Sequence, residues 1–124
     1  MIRVLSVALS LAVLAPGHPA LSQPLTTLYS GDELLPSCRL AIGAEQPGAA
    51  DLVKATYCVG VVAALISIGP MLQPNFRFCF PKGGNTEQAV QVVVAVLELK
   101  PSALQLDFRV LAANAMKDAW PCQP

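Results

Sequence analysis

The fold of this 124-residue chain depends on the apolar run at residues 89–99, AVQVVVAVLEL. Its β-branched residues suit a strand as well as a helix, so composition alone does not choose between the two. Length favours the helix, because eleven residues exceed an ordinary strand and the chain offers no second run to pair with it. Asn85, with Gln88 three residues later, can cap such a helix. We therefore predict a helix here, buried on most sides.

Two further helices are predicted before this run. Ser30 and Glu33 have the spacing of a capping box and start the first helix. Pro36 removes a backbone donor inside it and is expected to kink the helix or delay its regular part. Asp51 can cap a second helix that ends near Ile68, before a Gly-Pro pair.

A fourth helix is predicted to begin at Ser102, with Gln105 completing another capping box. Its apolar stripe has helical spacing and comprises Leu104, Phe108, Leu111, Ala115 and Ala119. The opposite side carries Asp107, Arg109, Lys117 and Asp118, which we interpret as a solvated face rather than a binding patch. The prediction is an all-α fold, a small four-helix bundle.

Two features of these helices predict close contacts with other helices. Gly60 lies inside the second helix at a cost near 1 kcal/mol relative to alanine, which suggests that another helix approaches it. The third helix is apolar on more faces than three companions would cover. This pattern favours a homodimer in which a second copy packs on the third helix.

Residues 1–22 have the form of a secretory signal peptide. Arg3 supplies a positive charge, and residues 4–15 form an uncharged run of twelve residues. A spanning helix needs about 20 apolar residues, so a membrane anchor is disfavoured. Ala20 and Ser22 place the predicted cleavage after Ser22, with cleavage after Gly17 as the alternative. An extended leader at 23–29 and a helical domain at 30–124 would then remain.

All four cysteines, Cys38, Cys58, Cys79 and Cys122, lie in the predicted exported part. An even number in a small exported chain indicates two disulfides. A zinc site is the alternative, but structural zinc sites usually contain a close cysteine pair, and none exists here. Of three possible pairings, the antiparallel order of the helices favours Cys38 with Cys58 and Cys79 with Cys122. The predicted bundle is therefore stapled by two disulfides.

Charge and motifs disfavour several classes of function. Eight Lys and Arg balance eight Asp and Glu, so no long-range attraction to nucleic acid or to a membrane surface is expected after signal cleavage. The single histidine, His18, lies in the predicted signal, and neither a nucleophile motif nor a phosphate-binding glycine loop is present. We predict that the protein is not an enzyme and needs no cofactor or metal.

Several spaced elements resemble the Rap/Tai family of periplasmic immunity proteins over roughly residues 30–122. They are CVGV from Cys58, RFCFP from Arg77, QAV from Gln88, VVV from Val92, then Pro101 and Phe108, and AWPC from Ala119. The resemblance implies an all-α, disulfide-stapled, commonly dimeric protein in the periplasm of a Gram-negative cell. It also implies that the protein plugs the catalytic cleft of a type VI secretion effector, typically a peptidoglycan amidase.

Partner-binding residues are predicted in the connection between the second and third helices. Asn75, Phe76 and Arg77 offer an aromatic ring and an arginine, residue types enriched at interface centres. In the alternative interpretation Phe76 and Phe78 fold back over the Cys79 crosslink. Two other functions remain open at this point: a periplasmic stress or holdase-type binding module, and a lytic or redox enzyme, which would require a free cysteine.

Overall fold

A computed structural model describes Gly17, residues 29–46 and residues 48–124. In this part the chain forms four α-helices, with no strand: α1 Gly31–Ala41, α2 Ala49–Ile68, α3 Thr86–Glu98 and α4 Phe108–Ala119. Short 3-10 turns at Gly69–Met71 and Pro101–Ala103 follow α2 and α3. The predicted all-α fold is confirmed. Apart from Gly17, the predicted signal lies outside the described residues, as do residues 23–28 of the predicted leader.

Local capping signals start two of the helices as predicted. At α1 the Glu33 N–H donates to Ser30 Oγ (3.3 Å) and the Ser30 N–H donates to the Glu33 carboxylate (2.9 Å). At α3 the Gln88 N–H donates to Asn85 Oδ1 (2.9 Å) and the Asn85 N–H donates to Gln88 Oε1 (3.1 Å). α1 continues through Pro36, so its regular part begins at the cap without delay.

The predicted start of α4 at Ser102 is wrong. Ser102 lies in the 3-10 turn, and α4 begins five residues after the turn, where Asp107 caps it by accepting from the Arg109 N–H (2.8 Å). The cause is a contact with α1: its first two amides donate to the carbonyls of Leu104 (2.9 Å) and Leu106 (3.0 Å). These carbonyls are therefore taken by tertiary hydrogen bonds, and residues 104–106 form a turn and a bend instead of continuing a helix from Ser102.

The observed start of α2 lies close to the predicted one. The helix begins at Ala49 with Gly48 as its cap and no side-chain hydrogen bond there, so Asp51 lies in the first turn rather than at the cap. An acidic residue in the first turn still interacts favourably with the helix dipole. The predicted end near Ile68 agrees with the observed end.

One core joins the four helices. The largest fully buried side chains include Phe78, Phe108, Leu34 and Met116. α3 contacts each of the other helices, and its large apolar residues are buried or half-buried within the chain. The prediction that α3 presents an uncovered apolar face is therefore wrong, because the three companion helices already cover it.

The uncovered apolar surface lies on α2 instead. Its exposed residues are uncharged: Leu52, Val53, Thr56, Val59, Gly60, Ala64, Ser67 and Ile68. We call them the α2 face. Apart from its chain neighbours and the backbone of its own helix turns, no described atom lies within 4 Å of a Cβ built on Gly60, so the predicted close approach of another helix of the same chain is absent from the described residues. By length and composition, Asp51–Met71 could also cross a membrane, a test that core helices of soluble proteins pass too.

Both predicted disulfides are present. Cys38 in α1 is bonded to Cys58 in α2 (S–S 2.03 Å), and Cys79 in the α2–α3 connection is bonded to Cys122 after α4 (S–S 2.06 Å). The described residues contain no free cysteine. The first disulfide is fully buried in the α1–α2 contact. The second attaches the chain that follows α4 to the connection between α2 and α3.

Candidate functional site

The predicted partner-binding residues lie in a loop ordered by its own hydrogen bonds. Residues 72–78, called the docking loop below, follow the turn after α2. The N–H groups of Phe76 and Arg77 both donate to the Gln73 carbonyl at 2.9 Å. Arg77 Nε donates to the Leu72 carbonyl at 3.2 Å, which closes the loop on itself. The loop is thus a compact turn.

Two anchors attach the docking loop to the helices. Phe78 is fully buried, and its N–H donates to the Gly69 carbonyl at 3.3 Å. Gly69 is needed there, because an added Cβ would lie 2.7 Å from the Phe78 ring. On the other side Lys117 Nζ of α4 donates to the Asn75 carbonyl at 2.8 Å. α2 and α4 therefore both position the loop.

The exposure of the loop residues separates the two interpretations of its aromatic rings. Phe78 belongs to the core and is not exposed to a partner. Phe76 is half-buried and packs against the edge of the core, while Asn75 and Arg77 are exposed. The loop therefore presents a polar residue, part of an aromatic ring and a guanidinium side by side.

A shallow groove of about 380 Å³ borders Phe76. Its lining comes from α2, the docking loop and α4 and comprises Leu65, Leu72, Gln73, Phe76, Arg109, Val110 and Ala113. We call it the apolar groove. Val110 was not predicted as a site residue, and Arg109 was interpreted as part of a solvated face. Only the fold brings α4 beside the loop, and no local pattern in the sequence relates Val110, which is 40% exposed, to residues more than 30 positions earlier.

The charge on the rim of this groove is balanced locally. Arg109 Nε and Nη2 donate to the two carboxylate oxygens of Asp107, with Nε at 2.9 Å. These side-chain hydrogen bonds hold the pKa of Asp107 below its ordinary value and raise the pKa of Arg109. Arg109 therefore adds less positive potential to the site than its exposure suggests.

A second concavity, the C-terminal cleft, lies on the far side of the docking loop and encloses about 310 Å³. Its lining comprises Pro74, Arg77, Lys117, Pro121, Cys122, Gln123 and Pro124. Arg77 and Lys117 form no ion pair among the described residues. The loop thus separates an apolar groove from a cationic cleft.

The described residues contain no group of three His, Cys, Asp or Glu side chains that could hold a metal ion. A cavity of about 250 Å³ between α3 and α4 is lined mainly by apolar side chains, with the Lys100–Asp118 ion pair (3.2 Å) also in its wall. Among the described residues, the docking loop and the two concavities beside it therefore form the candidate site.

Comparison with known families gives this surface a context. The family model of the Rap1a immunity proteins matches residues 30–122, a range that includes all four helices and both disulfides. This chain belongs to the Rap1a immunity protein family. Membership implies a partner effector protein and an inhibitor rather than a catalyst. Comparisons with curated proteins and with solved structures gave no match.

The resemblance found in the sequence is confirmed by the Rap1a match. Its residue elements now have structural roles. In the RFCFP element, Phe78 anchors the docking loop, Cys79 forms a disulfide, and the Phe80 ring meets the Trp120 ring of AWPC edge-on at 4.7 Å between centroids. These four residues join the docking loop to the chain after α4. They therefore stabilise the fold, whereas Arg77 of the same RFCFP element is exposed in the docking loop.

Proposed function

We propose that this protein is a periplasmic immunity protein that binds a type VI secretion effector, a peptidoglycan amidase, and occludes its catalytic cleft. Family membership supports the effector partner. Two disulfides support an oxidising compartment such as the periplasm. The amidase and the type VI pathway rest on the Rap/Tai resemblance of the sequence.

The anchored docking loop is the observation that supports a particular binding site for the effector. A loop that is ordered before binding loses little conformational entropy when it enters a cleft. Phe76 and Arg77 are of the residue types that dominate interface energetics, and the apolar groove beside them can receive a partner side chain. We therefore assign Asn75, Phe76 and Arg77 to the surface that meets the effector.

The first experiment tests the partner. The full chain is expressed with its N-terminal segment, and the exported protein is used as bait in extracts of the cell that encodes it. We expect one folded, stoichiometric partner that hydrolyses peptidoglycan and loses that activity when the bait is added. Recovery of many partly unfolded proteins instead would support a holdase and contradict the proposal.

The second experiment tests the docking loop against a matched control. Arg77→Glu reverses one charge in the loop, and Lys82→Glu makes the same change at an exposed cation a few residues later, outside the groove and the cleft. We expect R77E to weaken effector binding by at least about tenfold, a loss of about 1.4 kcal/mol, and K82E to change it little. Equal effects of both variants would exclude the docking loop as the specific contact while leaving the immunity role intact.

We also propose that the protein is a homodimer and that the α2 face is its interface. An exposed helix face without charges pays no desolvation cost for ions when a second copy covers it. Gly60 and Ala64, one helical turn apart, allow two such helices to approach closely about a two-fold axis. The larger side chains around them supply apolar area, with Val53 69% exposed.

Sedimentation at micromolar concentration tests the dimer and its face together. Val53→Lys places a charge on the α2 face, whereas Leu99→Lys makes a comparable change at a residue that is 81% exposed after the end of α3. We expect V53K to be monomeric and L99K to remain a dimer. A monomeric wild-type protein would contradict the dimer, and a dimeric V53K would contradict the α2 face.

A further inference from the structure

The two disulfides differ in their access to solvent. Cys38 and Cys58 are both 0% exposed and lie in the core between α1 and α2. Cys79 is exposed and Cys122 is half-buried. Thiol–disulfide exchange requires a thiolate to reach a sulfur atom of the bond. The second disulfide is therefore the more accessible of the two to an external thiolate while the chain is folded.

The surroundings of Cys122 also favour bond breaking. Cys122 lines the C-terminal cleft together with Arg77 and Lys117. The described lining of this cleft contains no Asp or Glu side chain. Positive charge close to a cysteine stabilises its thiolate form, and a stabilised thiolate is a better leaving group. Neither Cys38 nor Cys58 lies in the lining of this cleft.

We propose that Cys79–Cys122 is a reducible site that reacts with dithiols in the folded protein, whereas Cys38–Cys58 is a permanent staple. A thiolate of the dithiol attacks Cys79 Sγ and forms a mixed disulfide, while Cys122 leaves as a thiolate beside Arg77 and Lys117. The second thiol of the dithiol then attacks its own sulfur in the mixed disulfide and releases Cys79. The dithiol is oxidised to a disulfide, and its two electrons and two protons end on Cys79 and Cys122.

Reduction of Cys79–Cys122 loosens the docking loop and residues 121–124 and leaves the helices in place. Without the bond, the chain after α4 is held by the hydrogen bond from the Cys79 N–H to the Trp120 carbonyl (2.8 Å) and by the Phe80–Trp120 ring contact. Residues 121–124 have no helix or strand structure of their own. The docking loop keeps its Phe78 anchor but loses the covalent tie one residue further on. The site thus couples the redox state of a dithiol to the mobility of the cleft wall and the loop.

Stepwise reduction of the native exported protein tests this proposal. The protein is titrated with dithiothreitol without denaturant, free thiols are blocked with iodoacetamide, and the modified cysteines are identified by peptide mass spectrometry. We expect Cys79 and Cys122 to be alkylated at rates at least tenfold above those of Cys38 and Cys58. Hydrogen exchange should increase at residues 72–79 and 119–124 only. Simultaneous opening of both disulfides, or earlier opening of Cys38–Cys58, would overturn the proposal.

Two variants provide further tests, the first of them without a reductant. Cys79→Ser with Cys122→Ser should retain Cys38–Cys58 and the helix content of the wild type, with the same local increase in hydrogen exchange. If this variant fails to fold, then the wild type reduced only at Cys79–Cys122 should unfold too, and its loss of structure would count against the proposal. Arg77→Gln should slow reduction severalfold, whereas Lys82→Gln should not. Equal rates for R77Q and the wild type would contradict the departure of Cys122 as a stabilised thiolate.

Discussion

Phe78 and Phe76 are two residues apart, and the structure predicts opposite consequences for their replacement by alanine. Phe78 is fully buried and anchors the docking loop against Gly69, whereas Phe76 is half-buried at the edge of the apolar groove. F78A should therefore destabilise the fold. F76A should leave the fold nearly intact and weaken effector binding. Comparing F78A with F76A therefore distinguishes a residue that stabilises the fold from one that binds the partner.

The expected magnitudes follow from burial. Removing a fully buried phenylalanine ring costs about 3–5 kcal/mol, a large share of the roughly 5–15 kcal/mol that stabilises a domain of this kind. Only part of the Phe76 ring is buried, and complete burial of a phenylalanine contributes about 1.5–3 kcal/mol. F76A should therefore cost about 1 kcal/mol. The solvent-open groove leaves no enclosed cavity to add to this figure.

Urea unfolding followed by circular dichroism measures both effects. With a slope near 1–2 kcal/mol per molar urea, the midpoint should fall by about 1.5 M or more for F78A and by less than about 1 M for F76A. In a binding assay, F76A should lose affinity well beyond its effect on folding. A loss of stability in F76A equal to that in F78A would show that Phe76 is a core residue and would contradict its assignment to the binding surface.

Three other outcomes are expected from the same unfolding assay. Asp107→Ala should cost about 1 kcal/mol through loss of the α4 cap, whereas Ser102→Ala should be nearly neutral, the reverse of what a cap at Ser102 requires. The hydrogen bond from the Ser30 N–H lowers the pKa of Glu33 in the folded protein. The stabilisation by the Glu33 carboxylate is therefore present above about pH 4.3 and is lost as the pH falls through the lower pKa of the folded state. Glu33→Gln should flatten this dependence of stability on acid, and a pH profile equal to that of the wild type would contradict the prediction. Gly69→Ala should cost about 1–3 kcal/mol by crowding Phe78, and a stabilised variant would show that the ring can move.

Signals that act over three or four residues were readable in the sequence. The capping boxes at Ser30 and Asn85 form as predicted, because each needs only its own backbone and one nearby side chain. The disulfide pairing also followed, since the order of four antiparallel helices determines which cysteines share an end. All four cysteines are bonded as predicted, and three of them belong to the CVGV, RFCFP and AWPC elements that carry the family resemblance.

The candidate site was only partly predictable. Asn75, Phe76 and Arg77 belong to one loop and were found from their residue types. Arg109 and Val110 reach the same groove from α4, more than 30 positions along the chain, and no local pattern relates them to the loop. Sequence periodicity identifies an apolar face without telling which neighbours will cover it.

The helical class, two of the helix starts and the two crosslinks could be read from the sequence, because they depend on local hydrogen bonds and on the order of the helices. The start of α4, and the choice of the helix that keeps an uncovered apolar face, depend on tertiary packing. The carbonyls of Leu104 and Leu106 bind the start of α1, and this contact prevails over the capping signal at Ser102. Likewise α3 is surrounded by the other helices while the α2 face remains exposed, since burial depends on the packing of distant segments.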